Sequence, residues 1–403
     1  PHDGNFCVDG LVYPDRRPHT GLLEYKNIHR PVRVVSYDSK SGQLILHNYM
    51  DFVSLSDYIT ISYELNCDGE IVSSGKIEKC PAVAPHCDGS VPLSLDVPDR
   101  GRCFLKVNYL LKNQTQLLPE GFDLGFDELR LNNLDGRNQT ALQIWKNKSH
   151  SEDCISVTEN DRYMMISAPS FTYEYDKLTG MFTKMNFRGQ ELIDRPVNFN
   201  IWRAPTDNDR KLKLHWMAAY YDHAVTRAYN THYMAVDSEV RIHSDVSIAG
   251  ISVQKIMDID LDWTVSATGE ITVDVLAKRN MEFPELPRFG LRLFLPNKLE
   301  NVSYYGLGPT ENYIDKRQAA WHGLFKSTVS ELHEDYIRPQ ENGAHGDCDY
   351  AILESDTLRM TVVSTEGFSF NASHYTQEEL TNKGHNFELE ECGSTVLCLD
   401  YKQ

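Results

Sequence analysis

No stretch of this chain approaches the roughly eighteen consecutive apolar residues that a membrane-spanning helix requires, so a helical span is excluded. Basic charge is also short. Forty Lys and Arg stand against 58 Asp and Glu, a net charge of -18, which excludes the positive footprint of a nucleic-acid surface. No Ser/His/Asp order, phosphate-cradling glycine loop, internal repeat or low-complexity tract is present. The 15 histidines are scattered, and lone ones such as His19, His215 and His345 read as turn or surface residues rather than ligands. The nine cysteines are odd in number, and Cys7, Cys67, Cys103, Cys154 and Cys398 lie in or beside strand-like runs, where a free thiol acts as a small apolar residue. Cys80 and Cys87 flank a Pro-rich loop, and no second ligand pair has metal-site spacing. A reducing, cytoplasmic setting follows.

What is present starts abruptly. Phe6, Val8, Leu11 and Val12 form an apolar run that ends at the turn signal Pro14-Asp15. Gly21 to His29 then reads as a short helix, with Leu22, Leu23, Tyr25 and Ile28 on one side and Pro31 closing it. A strand and a helix of about thirty residues cannot bury a core alone, so residues 1–31 read as the last piece of something larger.

Beyond Pro31 the pattern is β. Val32–Ser36, Gln43–Tyr49, Ile59–Leu65, Glu70–Ile77, Val91–Leu95, Cys103–Leu110 and Leu124–Leu131 are strand-like, separated by turns such as Ser41-Gly42, Asp68-Gly69 and Asp88-Gly89. Short strands at this spacing predict an immunoglobulin-like sandwich over residues 32–132. Residues 133–153 are polar and read as a linker, with Trp145 as an anchor. From 154 to 403 strands return. Phe171–Tyr175 and Met181–Phe187 form a hairpin about Asp176–Gly180. Further strands are expected at Glu239–His243, Ser252–Ile259, Glu270–Ala277, Gly290–Phe294, Leu358–Ser364 and Phe368–Ala372, with one helix at Leu214–Val225. The whole is mainly β, and its second part is a large antiparallel sandwich.

Acidic residues are too many for a carboxylate pair to mean anything by count. Those in unusual company are Asp9, Asp207, Asp209, Glu311 and Glu341. Arg203-Ala204-Pro205-Thr206-Asp207-Asn208-Asp209 is a polar loop directly after the apolar Ile201-Trp202. Tyr305–Tyr313 and Gln340–Gly343 are two more loops rich in Gly, Asn and Glu. Such residues also stabilise ordinary turns.

Five motifs occur in order: Phe6-Cys7-x-Asp9-Gly10-Leu11-Val12-x-x-Asp15-Arg16-x-Pro18-His19, Arg203-Ala204-Pro205-x-Asp207-Asn208-Asp209, Gly306-Leu307-Gly308-Pro309-x-Glu311-Asn312-Tyr313, Glu341-Asn342-Gly343 and Phe370-Asn371-x-Ser373-x-Tyr375. In this the chain resembles the C-terminal portion of the long bacterial β-galactosidases of glycoside hydrolase family 2. The resemblance implies the tail of a (β/α)₈ barrel at 1–31, the immunoglobulin-like sandwich at 32–132, a linker at 133–153, and an incomplete β-supersandwich from 154 that would run on past Gln403. It also implies a retaining β-galactosidase acting on substrates such as lactose. Its two glutamates, nucleophile and acid/base, lie about 5 Å apart on barrel strands that precede residue 1. The catalytic residues within this chain are therefore none, and the fragment alone is expected to be inactive.

The resemblance further implies a sodium ion held by the Phe6 carbonyl and by Asp9, where the family pattern has Asn, and magnesium ligands that lie upstream. Asp9, Arg203, Asp207, Asn208 and Asp209 are the expected substrate-binding positions. The loop after Asp209 is shorter than the family's, and a sugar-stacking Trp of that pattern would fall beyond Gln403. The expected partners are the β-galactoside and the missing N-terminal barrel, with no nucleic acid and no membrane; a homo-oligomer is allowed. Two other readings are a non-catalytic small subunit and a free carbohydrate-binding sandwich, and the barrel-tail motif counts against both.

Overall fold

Alternation is written most plainly in Lys255–Ser266. Ile259, Leu261, Trp263 and Val265 are buried there, and Asp258, Asp260 and Asp262 between them are exposed. Successive side chains of a strand point to opposite faces, so such a segment lies with one face on a core and the other in water. The computed structural model describes residues 10–147, 154–236 and 238–401, and it is mainly β.

Helix α1 (Thr20–Ile28) precedes β1 (Val32–Asp38) and β2 (Gln43–Asn48); the single turn α2 (Leu55–Tyr58) leads into β3 (Ile59–Cys67), β4 (Glu70–Ile77), β5 (Asp88–Pro92), β6 (Cys103–Leu111) and β7 (Asp123–Arg130). Strands β1-β2-β5 make one sheet and β4-β3-β6-β7 another, and both lay residues such as Leu44, Leu46, Ile61, Leu105 and Tyr109 on a shared core. The strand expected at Val91–Leu95 is displaced. Gly89 pairs with Leu46, and Leu93 has already left the ladder to donate its N–H to Gly42 O at 2.8 Å.

The expected linker is not one throughout. Residues 139–146 form α3 (Gln139–Lys146), capped by the Asn138 side chain, which accepts the Ala141 N–H at 3.0 Å. Ala141 and Ile144 pack on Tyr305, Tyr350 and Ile352, so this connection is docked on the large sheet. Residues 148–153 lie outside the described residues.

The remainder builds three sheets on one core. β8 (Ser156–Glu159), β9 (Tyr163–Ala168), β10 (Phe171–Asp176), β11 (Met181–Phe187) and β12 (Gln190–Glu191) form a meander. After β13 (Arg195–Asn200) and α4 (Leu212–Ala218) comes a second meander of β14 (Val225–Val236), β15 (Glu239–Ala249), β16 (Lys255–Ser266) and β17 (Ile271–Arg279). The remaining elements are β18 (Gly290–Pro296), β19 (Asn301–Gly308), β20 (Trp321–Thr328), β21 (Ala344–Glu354), β22 (Arg359–Ser373), α5 (Gln377–Asn382) and β23 (Ser394–Asp400). With β13 these strands give a seven-stranded sheet ordered β13-β18-β23-β22-β21-β19-β20. Tyr175, Phe182, Trp202, Val246, Trp263, Tyr304, Phe370 and Leu397 meet in the core.

The hairpin at Asp176–Gly180 is present. Gly180 turns the chain at φ +76°, and its carbonyl accepts from Trp263 Nε1 at 3.1 Å. The helix expected over Leu214–Val225 is shorter: α4 ends at Ala218, a 3₁₀ turn covers Tyr221–His223, and Val225 already begins β14. The strand expected from Ser252 starts only at Lys255, because Ser252 sits in a turn at φ +63°. No helix among the described residues is long and apolar enough to cross a membrane. Of the N-terminal strand, residues 1–9 lie outside the described residues; Val12 makes an isolated bridge to Pro18, and α1 is present.

Candidate functional site

The buried side of α1 is polar. Thr20, Glu24 and Asn27 face inward, Leu22 and Leu23 are half-buried, and Tyr25 and Ile28 are exposed. The cause lies in the loop between β19 and β20, whose backbone groups need partners. Glu24 accepts the N–H groups of Gln318 and Ala319 at 2.8 and 2.7 Å. Asn27 donates to Gln318 O at 2.7 Å and accepts the Phe126 N–H at 2.7 Å. Arg30 follows with an ion pair to Asp127 at 2.5 Å, and Asp127 also takes the Tyr109 hydroxyl and the Val34 N–H. Helix α1 is thereby fastened to both sandwiches, and Tyr25 and Ile28 are left facing outward.

Glu311 is the centre of the junction. It is 7% exposed, and its Oε1 accepts from Thr20 Oγ1 at 3.0 Å, from Lys316 Nζ at 2.5 Å and from the Tyr336 hydroxyl. Its Oε2 accepts the Gly343 N–H at 2.7 Å. Burial pushes the carboxyl up, but the Lys316 ammonium and these donors outweigh it and hold Glu311 below the usual carboxylate range. A carboxylate so depressed contributes stability above its unfolded pKa and loses it as pH falls through the folded one, so acid loosens this junction. Alongside, the Tyr13 hydroxyl donates to Glu334, and the Tyr13 ring lies 3.8 Å from that of His19. Burial lowers the pKa of His19.

The segment from Glu334 to Gly343 joins this cluster to the other polar loops. The Glu341 N–H donates to Ala204 O at 3.0 Å, and the Asp207 N–H to Gln340 Oε1 at 3.2 Å. The Asn386 N–H donates to Ile337 O at 3.0 Å, and Trp202 Nε1 to Thr381 Oγ1 at 3.2 Å. Four stretches that are remote in sequence therefore share one face: residues 13–24, 203–210, 309–343 and 381–390. An open groove of about 660 Å³ borders it, lined by Lys383, His385, Phe387 and Glu388 among others. Beneath, Arg288 is fully buried between Glu341 at 2.8 Å and Asp400 at 2.6 Å. His345, also buried, is pushed down to about 4 by burial and bonds the Tyr304 hydroxyl at 2.9 Å as a neutral ring.

Gly343 turns this segment at φ +72°, and a Cβ there would lie 2.6 Å from Leu332 O. Gly343→Ala is expected to cost about 1–3 kcal/mol through strain at both places. Urea unfolding measures it, and an unchanged midpoint would show that the turn relaxes freely.

Within the Arg203 loop the side chains divide. Asp209 is buried and accepts from Arg203 Nε at 3.0 Å, from an Arg203 Nη at 2.7 Å and from the Thr206 N–H at 3.0 Å. Arg203 also lies 5.7 Å over the Trp216 ring. These two residues hold the turn. Asp207 and Asn208 are exposed. Glu311 and Glu341, singled out in the sequence, are both buried in the junction. Phe6 and Asp9 lie outside the described residues. Among the described residues no three or more His, Cys, Asp or Glu side chains are grouped to hold a metal ion. Sequence reasoning missed Glu24, Asn27, Lys316, Tyr336 and Arg288. Nothing local marks them, since each acts on a partner far along the chain, except Lys316 at five residues from Glu311.

Comparison with known proteins adds a second line. A family model described as "Beta galactosidase small chain" matches residues 167–403, and one described as "Beta-galactosidase, domain 4" matches residues 44–132. A protein named "Beta-galactosidase" from Actinobacillus pleuropneumoniae is 40% identical over 402 residues, covering 100% of this chain and 38% of that protein. One of the same name from Staphylococcus xylosus is 32% identical over 407 residues, covering 100% and 40%. One from Priestia megaterium is 26% identical over 420 residues, covering 100% and 38%. The chain thus spans about two fifths of the length of these curated relatives.

Proposed function

The chain belongs to the β-galactosidase family, and from that premise we propose that it forms the non-catalytic C-terminal portion of a retaining enzyme that hydrolyses terminal β-D-galactosides such as lactose. The reacting glutamates belong to the barrel of the longer protein. This portion supplies a rigid platform and part of the wall of the sugar pocket. The observation that carries the reading is the convergence of residues 13–24, 203–210 and 309–343 on the Glu311 junction. It fastens the segment that would close the barrel to the loop that would border its mouth.

Roles follow for the individual side chains. Arg203 and Asp209 lock the loop's shape by pairing with each other. Asp207 and Asn208, which are exposed, are the side chains free to accept from and donate to sugar hydroxyls. The barrel packs on the outward side of α1, where Tyr25 and Ile28 are exposed. A carbonyl and a carboxylate oxygen are hard donors that suit a sodium ion, so Phe6 and Asp9 hold one near the sugar; magnesium ligands belong to the upstream portion. The strand orders 1-2-5 and 4-3-6-7 support an immunoglobulin-like sandwich, and the three sheets on one core a supersandwich. The cysteines among the described residues are free, which supports a cytoplasmic setting.

In the full-length enzyme, Asp207→Ala and Asn208→Ala are each expected to raise KM by about 2- to 10-fold with kcat little changed, the signature of lost uniform binding. Steady-state kinetics on a chromogenic galactoside checks this. Unchanged constants in both variants would make the loop a structural turn only.

A further inference from the structure

The seam between the two sandwiches holds a histidine with two carboxylates. His322, on β20, is 8% exposed. Its Nδ1 lies 2.7 Å from Glu128 Oε2 on β7, and its Nε2 lies 2.8 Å from Asp347 Oδ2 on β21. Its backbone N–H donates to the other oxygen of Glu128 at 2.7 Å. Phe104 of β6 stacks on the ring, with centroids 3.9 Å apart and planes 6° from parallel. A neutral imidazole has one N–H, so carboxylates at both ring nitrogens are satisfied together only by the imidazolium.

The other charges around the ring are few. From the small sandwich, Arg102 bonds Asp347 and pairs with Asp349 at 3.1 Å, and its guanidinium lies 3.5 Å from His322 Nε2. Lys106 of β6 sits 3.3 Å over the neighbouring Trp321 ring. Glu64 of β3 borders, together with Glu128 and His322, a small cavity of about 170 Å³. From the large sheet, the Tyr305 hydroxyl donates to Arg102 O at 3.3 Å. The side-chain bonds of Arg102 and Glu128 to Asp347, Asp349 and His322 run from one sandwich to the other.

We propose that His322 is a proton-operated fastening between the two sandwiches. Doubly protonated, it bridges Glu128 to Asp347. When the ring gives up one proton to water or hydroxide, a nitrogen lone pair faces a carboxylate oxygen and the seam loosens. Burial and Arg102 oppose the second proton, but Asp347 and Glu128 outweigh them, and the pKa stands above the ordinary histidine value. The sign follows from that direction. The stabilisation is complete below the unfolded pKa of about 6.5 and is lost as pH rises through the higher folded value. The fastening holds below the ordinary histidine value and releases as pH rises through the raised folded one.

The test follows the His322 ring by NMR through a pH titration of the whole chain, with the signal assigned by its absence in His322→Gln. The proposal requires a midpoint above about 6.5, and a downward shift of it in Glu128→Gln, which keeps the shape and removes the charge. A midpoint at or below the ordinary value, or one that Glu128→Gln leaves in place, overturns it. Thermal unfolding gives a second reading. The Tm advantage of the wild type over His322→Gln is expected to be about 1–3 °C near pH 6 and to vanish as pH rises through the folded pKa. An advantage independent of pH contradicts the proposal. If His322→Gln fails to fold, Glu128→Gln supplies the comparison in both experiments.

Discussion

Arg288→Met is expected to lower the stability of the chain by about 3–5 kcal/mol, as removal of one partner from a buried ion cluster generally does. The Arg288 side chain has no exposure and faces two carboxylates, Glu341 at 2.8 Å and Asp400 at 2.6 Å, the second held also through Nε at 3.2 Å. Methionine fills similar volume, so packing loss is small and the cost is electrostatic: two carboxylates remain buried without a counter-charge. That cost is a large share of the net stability of a typical domain, about 5–15 kcal/mol. Urea unfolding measures it. Adding Asp400→Asn and Glu341→Gln to Arg288→Met is expected to recover part of the loss, because the uncompensated charges are then gone. A single substitution that is nearly neutral would mean that water reaches the cluster when Arg288 leaves.

The cluster is also instructive about what a sequence conceals. Arg288 and Asp400 are 112 positions apart, and nothing near either residue announces the other. The first sandwich was legible because its strands are short, β2 and β6 alternate, and turns punctuate them at Ser41-Gly42, Asp68-Gly69 and Asp88-Gly89; each expected strand has its counterpart, β5 alone being displaced. The part from residue 154 on was less so. β14 is an edge strand of its four-stranded sheet with little buried surface, and β23 in the large sheet is buried nearly throughout, so neither offers a clear apolar–polar alternation. β22 reads as two strands because Gly367 at φ +80° looks like a turn, whereas the pairing with β21 and β23 carries it through as a single strand, Arg359–Ser373. Helix α3 was hidden in a polar segment that reads as a linker, where only the cap Asn138 marks its start.

At the candidate site the loops were legible and their partnerships were not. Arg203–Asp209, Glu311 and Gln340–Gly343 stood out through Gly, Pro, Asn and carboxylates in close company, and these loops do meet on one face. That Arg203 and Asp209 would be spent on each other, leaving Asp207 and Asn208 exposed, depends on the turn's geometry. The inward polar side of α1 was equally out of reach, since it answers to backbone groups at Gln318 and Ala319 about 290 residues on, 294 and 295 positions from Glu24.

The second large effect concerns catalysis, and it tests most directly whether this chain supplies a wall and a platform rather than the chemistry. Retaining glycoside cleavage needs two carboxylates about 5 Å apart, one as nucleophile and one as acid then base. Here Glu311 is held by four donors, Thr20, Lys316, Tyr336 and the Gly343 N–H, and Glu341 is paired with Arg288, so these two buried glutamates are engaged in structure. Loss of catalytic groups that act together generally lowers kcat by about 10⁴- to 10⁶-fold. The measurement is turnover of a chromogenic β-galactoside by the purified chain beside the full-length enzyme at equal molarity. The expected result is hydrolysis at least about 10⁴-fold slower than the full-length enzyme, indistinguishable from buffer. Clear turnover by the purified chain, abolished by Glu311→Gln or Glu341→Gln in a variant that remains folded, would place the chemistry within these residues and contradict the proposed division of labour.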